Sequence, residues 1–103
     1  RILGHEISIN HDMLLLLGSM HAEERLAAFL LGVSARYKAR GYSATEFVLR
    51  MTREEIGSYL GLKLETVSRL LSKFHEASLV QVQGRRIKII DMPRLRLLVN
   101  RRA

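Results

Sequence analysis

Residues 52–71 have the sequence TREEIGSYLGLKLETVSRLL, which predicts two short helices joined by a tight turn. Thr52 and Glu55 have the spacing of a capping box, in which the hydroxyl caps the helix and the carboxylate returns to the cap backbone. We expect the first helix, of about ten residues, to stop at Gly61, because glycine adopts a positive φ without strain. A second helix is predicted from about Lys63 to Ala77.

This pair of helices matches the helix-turn-helix template over residues 53–72. Two helices that cross steeply over a short turn need a small residue at the crossing and a residue that tolerates positive φ in the turn. Gly57 and Gly61 meet these needs. The template also requires apolar residues at its buried points, and the chain supplies Ile56, Leu60, Leu62, Val67 and Leu70. Some helix pairs meet this template without binding DNA.

The sequence around this motif predicts a helix, a strand, a hairpin and a final short helix, and a further helix at the front that we call the lead-in. Residues 22–40 carry an apolar helical stripe, with Ser19 as a candidate N-cap and Gly41 just past the end. Residues 46–51 alternate as a strand does, and residues 79–82 and 87–90 flank a glycine turn at 83–86 as a hairpin does. A last short helix follows, with Asp91 as its candidate cap. At the front, Leu3, Ile7, Asn10, Leu14 and Leu17 have the 4-3-4-3 spacing of a packed helix over residues 1–17.

The order of these elements predicts a mainly α fold with a small β component, namely a winged helix-turn-helix with a helical lead-in. The 103 residues suffice for one domain, and 48% of them are apolar, as in a globular protein. The chain has no cysteine, which excludes disulfides and thiolate metal sites. No apolar run approaches the roughly 20 residues that span a bilayer, so we expect a cytoplasmic protein without a membrane partner. Because the chain starts Arg-Ile-Leu, we expect it to be a piece of a larger protein.

Positive charge is concentrated in one part of the chain. The formal net charge is +7, but residues 1–34 have a balance of −2 and residues 35–103 a balance of +9. A cationic field on part of a small domain indicates a polyanionic partner, either nucleic acid or an anionic membrane surface. A surplus of charge that serves only solubility is the alternative.

The second helix carries the candidate base-reading residues, since its N-terminal turns would enter the major groove. Arginine pairs with guanine O6 and N7, and glutamate accepts from cytosine N4. Glu65 and Arg69 stand four residues apart on the non-core face, with Ser68 beside them. A salt bridge between Glu65 and Arg69 that only supports the helix is the alternative, and both roles are compatible.

Candidate phosphate contacts surround this face. Lys63 stands where a capping Ser, Thr or Asp is usual, and a cation there opposes the helix dipole unless a phosphate approaches. A lysine that only points to water is the alternative. The other candidates are Thr52, Arg53, Thr66, Lys73 and Arg85, and for Arg85 at the hairpin tip a solvated turn charge is the alternative.

No arrangement of residues indicates an enzyme or a metal site. His5, His11 and His21 have no ligand spacing on a shared helical face. The serines have no His–Asp companions, and the chain has no glycine-rich phosphate loop. We therefore expect no catalytic residue and no metal ligand.

The sequence resembles the CRP/FNR family of bacterial transcription regulators over essentially its whole length. The resemblance rests on MTREEIGSYLGL at residues 51–62, ETVSRLL at residues 65–71 and AEERLAAF at residues 22–29. The E-x-x-S-R pattern is similar to the signature of the oxygen-responsive FNR branch, whereas the CRP branch usually has glycine where Ser68 stands. Lys63 departs from the family's more usual Ser or Thr.

The resemblance implies a C-terminal DNA-binding domain at residues 19–103, preceded at 1–18 by the tail of a dimerisation helix. It implies that Glu65, Ser68 and Arg69 read a TTGAT-like half-site, and that Thr52, Lys63, Thr66 and Arg85 hold phosphates. It also implies a homodimeric full-length protein on double-stranded DNA, with RNA polymerase as a partner. In the oxygen-sensing branch N-terminal cysteines hold a [4Fe–4S] cluster; this chain has none, and related branches share E-x-x-S-R without the cluster.

One alternative function remains at this stage. A winged helix can also bind another protein without reading bases. A pure interaction face would not need Glu65 and Arg69 together, so that pair favours DNA reading.

Overall fold

Four helices and three strands follow one another along residues 21–100, the part of the chain that this computed structural model describes. In chain order they are α1 (Ala22–Ala39), β1 (Glu46–Val48), α2 (Arg53–Leu60), α3 (Leu64–Glu76), β2 (Val80–Gln83), β3 (Arg86–Ile89) and α4 (Met92–Asn100). This order confirms the predicted winged helix-turn-helix. The predicted helix over residues 1–17 and the domain boundary after residue 18 lie outside the described residues.

Helix α1 supplies the centre of the core. Leu26 and Leu30 are completely buried, as are Ile56 of α2 and Leu95 of α4. The helix begins at Ala22 with His21 as its N-cap, so the prediction of Ser19 as the cap was wrong. The reason is Glu24, whose carboxylate accepts the His21 backbone N–H at 2.9 Å and fixes the start of the helix there.

The capping box and both glycines of the helix-turn-helix are confirmed. The Thr52 hydroxyl accepts the Glu55 N–H at 3.1 Å, and the Glu55 carboxylate accepts the Thr52 N–H at 2.8 Å. Gly61 ends α2 with a φ of +75°. A Cβ on Gly57 would lie only 2.5 Å from the Leu62 carbonyl oxygen, so only glycine allows the turn to close. Helix α2 has eight residues, fewer than the ten predicted.

The three strands form one antiparallel sheet in the order β1-β3-β2, in which β2 and β3 are the wing hairpin. The prediction that the first strand extends to Met51 was wrong. Val48 already pairs with Arg86, the first residue of β3, so the residues after Val48 have no strand residue to pair with. Leu49 donates instead to the Arg85 carbonyl in the turn at 2.7 Å. That turn has two residues, Gly84 and Arg85, rather than the four predicted.

Helix α4 packs against α1 and closes the core. The Asp91 carboxylate accepts the Arg94 N–H at 3.1 Å, which confirms Asp91 as its cap. The helix begins at Met92, directly after this cap. Within residues 21–100, no helix is both long enough and apolar enough to cross a membrane.

Candidate nucleic-acid interface

Helix α3 separates a buried face from a polar exposed face. Its buried residues are Val67, Leu70, Leu71 and Phe74. Glu65, Ser68 and Arg69, the predicted base readers, are all exposed, and Ser72 continues their face. The fold thus leaves the predicted reading surface open to another molecule.

Within residues 21–100, the charged base readers have no side-chain partner. Across residues 21–100, the side chains of Glu65 and Arg69 form neither a hydrogen bond nor an ion pair. The alternative of a helix-supporting Glu65–Arg69 salt bridge is therefore absent from this structure. Both charged groups are available to a ligand without first breaking an internal contact.

Leu64 is a feature of this surface that the sequence analysis did not assign to base reading. It opens α3 beside Glu65 and is 45% exposed, although it is a large apolar residue. Apolar side chains contact the C5-methyl group of thymine in the major groove. The sequence signal that could have identified Leu64 is its position, since it is an apolar residue outside the apolar stripe that faces the core.

The N-terminus of α3 is not capped by the side chain of its N-cap residue. Lys63 occupies the N-cap position with extended backbone and makes no side-chain cap bond. The first N–H groups of the helix therefore point outward without that partner, as in sites that bind anions. Thr66, half-buried in the first turn, lies close to the same end.

Arg53 and Arg85 bring positive charge to the junction of α2 and the wing. The Arg53 guanidinium donates to the Gly84 carbonyl at the hairpin tip, which ties the start of α2 to the wing. Partial burial, with a contribution from the positive charge of Arg85, lowers the pKa of Arg53 below its ordinary value. Arginine nevertheless stays charged near neutral pH, so an anion between these residues would relieve their repulsion.

Two of the predicted phosphate contacts already have partners in the domain. Thr52 accepts the Glu55 N–H as the helix cap, which leaves its hydroxyl proton free to donate. Lys73 forms an ion pair with Glu23 of α1. A phosphate at Lys73 would have to compete with that carboxylate.

A cleft between α3 and the wing brings several of these residues together. Its volume is about 380 Å³. Its lining includes Arg53 of α2, Ser68, Ser72 and His75 of α3, and Val82 of β2. No sequence pattern marks His75, because it is a single histidine late in an amphipathic helix.

The described residues do not suit a metal or cluster. No group of three or more His, Cys, Asp or Glu side chains in residues 21–100 has a metal-binding arrangement. An iron–sulfur cluster is held by cysteine thiolates, and the chain contains no cysteine. Its residues therefore do not fit the [4Fe–4S] group implied for the oxygen-sensing branch.

Residues 24–98 match the family model of the Crp-like helix-turn-helix domain. The chain is 56% identical over 99 residues to the transcriptional regulatory protein btr of Bordetella pertussis, covering 96% of this chain and 41% of that protein. It is 53% identical over 95 residues to an anaerobic regulatory protein of Aggregatibacter actinomycetemcomitans, covering 92% of this chain and 37% of the relative. The structure of FixK2 from Bradyrhizobium japonicum superimposes with a TM-score of 0.71 at 43% identity, over 84% of this chain and 42% of FixK2.

The fold and the exposed polar face of α3 define a winged helix-turn-helix DNA-binding domain. The chain belongs to the Crp-like helix-turn-helix family, and its relatives place it among the FNR-like DNA-binding domains of transcription regulators. It spans about two-fifths of the length of the curated relatives it matches.

Proposed function

We propose that this domain reads TTGAT-like half-sites by inserting α3 into the major groove of double-stranded DNA. The observation that carries the proposal is the exposed, unpartnered set of Glu65, Ser68 and Arg69 on α3. Arg69 and Glu65 contact the G·C pair and Ser68 a neighbouring thymine. The exposed Leu64 adds an apolar contact to a thymine methyl.

Phosphate contacts set the position of this helix and supply most of the salt-dependent affinity. Lys63 and Thr66 hold a phosphate at the N-terminus of α3. Thr52 donates its hydroxyl at the start of α2. Arg53 and Arg85 hold the backbone beside the wing, and Lys73 exchanges Glu23 for a phosphate.

The wider activity follows from the two-fold symmetry of such sites. Half-sites one helical turn apart require a dimer, so the full-length protein acts as a homodimer, with RNA polymerase as its partner. The domain has no catalytic role of its own, and the regulator acts in the cytoplasm. A cluster, if the regulator has one, is held by cysteines outside this chain.

The test is a salt series of duplex binding on a TTGAT palindrome and on a scrambled duplex. Arg69→Ala is compared with Arg36→Ala, which removes the same charge from an exposed position at the end of α1. We expect the wild type and Arg36→Ala to prefer the palindrome by about 1–3 kcal/mol, and Arg69→Ala to lose that preference. Equal binding of both duplexes by all three proteins would instead favour a winged helix that binds a protein partner.

A further inference from the structure

One polar contact joins the predicted reading helix to the wing. His75, in the last turn of α3, accepts the backbone N–H of Val82 through Nδ1 at 3.0 Å. Val82 lies in β2, three residues before Arg85 at the hairpin tip. His75 is exposed, so this contact does not belong to the hydrophobic core.

The position of β2 in the sheet explains why the Val82 N–H is available. The strand order β1-β3-β2 leaves β2 at an edge, with β3 on one side only. Backbone groups on the open side of an edge strand have no partner in the sheet. The imidazole of His75 supplies that partner for Val82, and the C-terminal half of α3 thereby holds the edge of the wing.

This contact spans the cleft that Ser68 and Arg53 also line. Ser68 stands on the reading face of α3, whereas Arg53 is bonded to the wing at Gly84. The wing is therefore fixed at its tip by α2 and along its edge by His75. Loss of the second contact would remove the polar link between α3 and the open edge of the wing, while the pairing of β3 with β1 remains.

We propose that His75 is a positioning residue for DNA recognition, whose bond to the Val82 N–H sets the wing against α3 so that Arg85 meets the phosphate backbone while α3 lies in the groove. This inference rests on the proposed function. It adds that the contribution of Arg85 to affinity depends on the bond between His75 and the Val82 N–H.

The charges around His75 are few. Arg53 of α2 and Glu76 of α3 line the same cleft as His75. Lys73, one half-turn earlier in α3, is paired with Glu23. Strand β2 has the sequence VQVQ and contributes no titratable side chain.

A double-mutant cycle on the 103-residue chain tests the coupling. Arg85→Ala is combined with His75→Ala or His75→Gln, and binding to the TTGAT palindrome is measured at about 0.1 M salt. Glutamine can accept the Val82 N–H through its amide oxygen but does not titrate. In the wild type and in His75→Gln, we expect Arg85→Ala to weaken binding about eightfold, the contribution of one released counterion. In His75→Ala, the loss should fall below about twofold.

Two controls separate the possible failures. First, Arg69→Ala should weaken palindrome binding equally with and without His75, since the position of α3 does not depend on that contact. Second, hydrogen exchange at the Val82 amide should be faster than in the wild type only in His75→Ala. An equal loss from Arg85→Ala in every background would overturn the role of His75 alone. Failure of both Arg69→Ala and Arg85→Ala to weaken palindrome binding in the wild type would overturn the proposed function itself.

Discussion

Glu23 in the first turn of α1 forms an ion pair with Lys73 near the end of α3, fifty residues later in the chain. The lysine side chain is 63% exposed and the glutamate side chain 23% exposed. The charge of one proposed phosphate contact is therefore offset by a carboxylate of the same domain. Under the proposed function, this pairing would limit how strongly the domain holds DNA of any sequence.

Glu23→Gln is expected to strengthen binding to a scrambled duplex at low salt, because it frees the Lys73 ammonium. The logarithmic salt slope should steepen by about 0.9, the value for one further neutralised phosphate. Glu46→Gln on β1 removes the same charge from another exposed position and serves as the control. Equal salt slopes for the two variants would show that Lys73 is not restrained by Glu23. Folding stability should change by less than about 1 kcal/mol, as is usual for an exposed pair.

Gly57→Ala is expected to destabilise the domain by about 1–3 kcal/mol, because the added Cβ meets the backbone oxygen of Leu62. The turn between α2 and α3 would have to open. Denaturant unfolding measures the change. Gly32→Ala in α1 is the matched control, since its Cβ meets only the end of the Arg36 side chain at 3.5 Å. That variant should gain about 0.5–1 kcal/mol, and a loss at Gly32 as large as that at Gly57 would contradict the steric argument.

Thr52→Ala is expected to lower the free energy of unfolding by about 1 kcal/mol, because α2 loses its side-chain cap. Thr52→Ser keeps a hydroxyl in the same place and should stay close to the wild type. The same two variants, compared in duplex binding under conditions where both are folded, report the proposed phosphate contact separately. If alanine and serine were equally stable, the capping box would contribute nothing.

Leu30→Ala is expected to cost about 2–5 kcal/mol of unfolding free energy, because Leu30 is completely buried at the centre of α1. Leu97→Ala in α4 makes the same chemical change at a position that is 61% exposed. Thermal or denaturant unfolding should show little change for that control. A comparable loss at both positions would mean that Leu97 is buried in the protein as it exists in solution.

Local signals were enough to predict the helix-turn-helix. The apolar spacing of α3 assigned its faces, and Gly57 and Gly61 marked the crossing and the turn, because each feature depends on neighbours within a few residues. The structure bears out these predictions. The roles of Glu65, Ser68 and Arg69 on DNA stay predictions, since they depend on a partner molecule.

Contacts between distant parts of the chain could not be predicted in this way. The apolar and polar residues of the sequence alternate as far as Met51, but the length of strand β1 is decided by where β3 begins. The Arg53–Gly84 and Glu23–Lys73 contacts join residues 31 and 50 positions apart, and no periodicity indicates them. His75 was overlooked for the same reason, since its partner is a backbone group of another element.

The two-residue turn at Gly84 and Arg85 fixes the length of the wing hairpin. With four residues in each strand, the tip stands about 13 Å beyond the base of the hairpin, which is close to the rise of about four base pairs. A single inserted residue would turn every following side chain to the opposite face, whereas a pair would preserve the alternation. Under the proposed function, two residues added to each strand would keep the alternation and move the Arg85 anchor outward by about 7 Å, close to the rise of two base pairs.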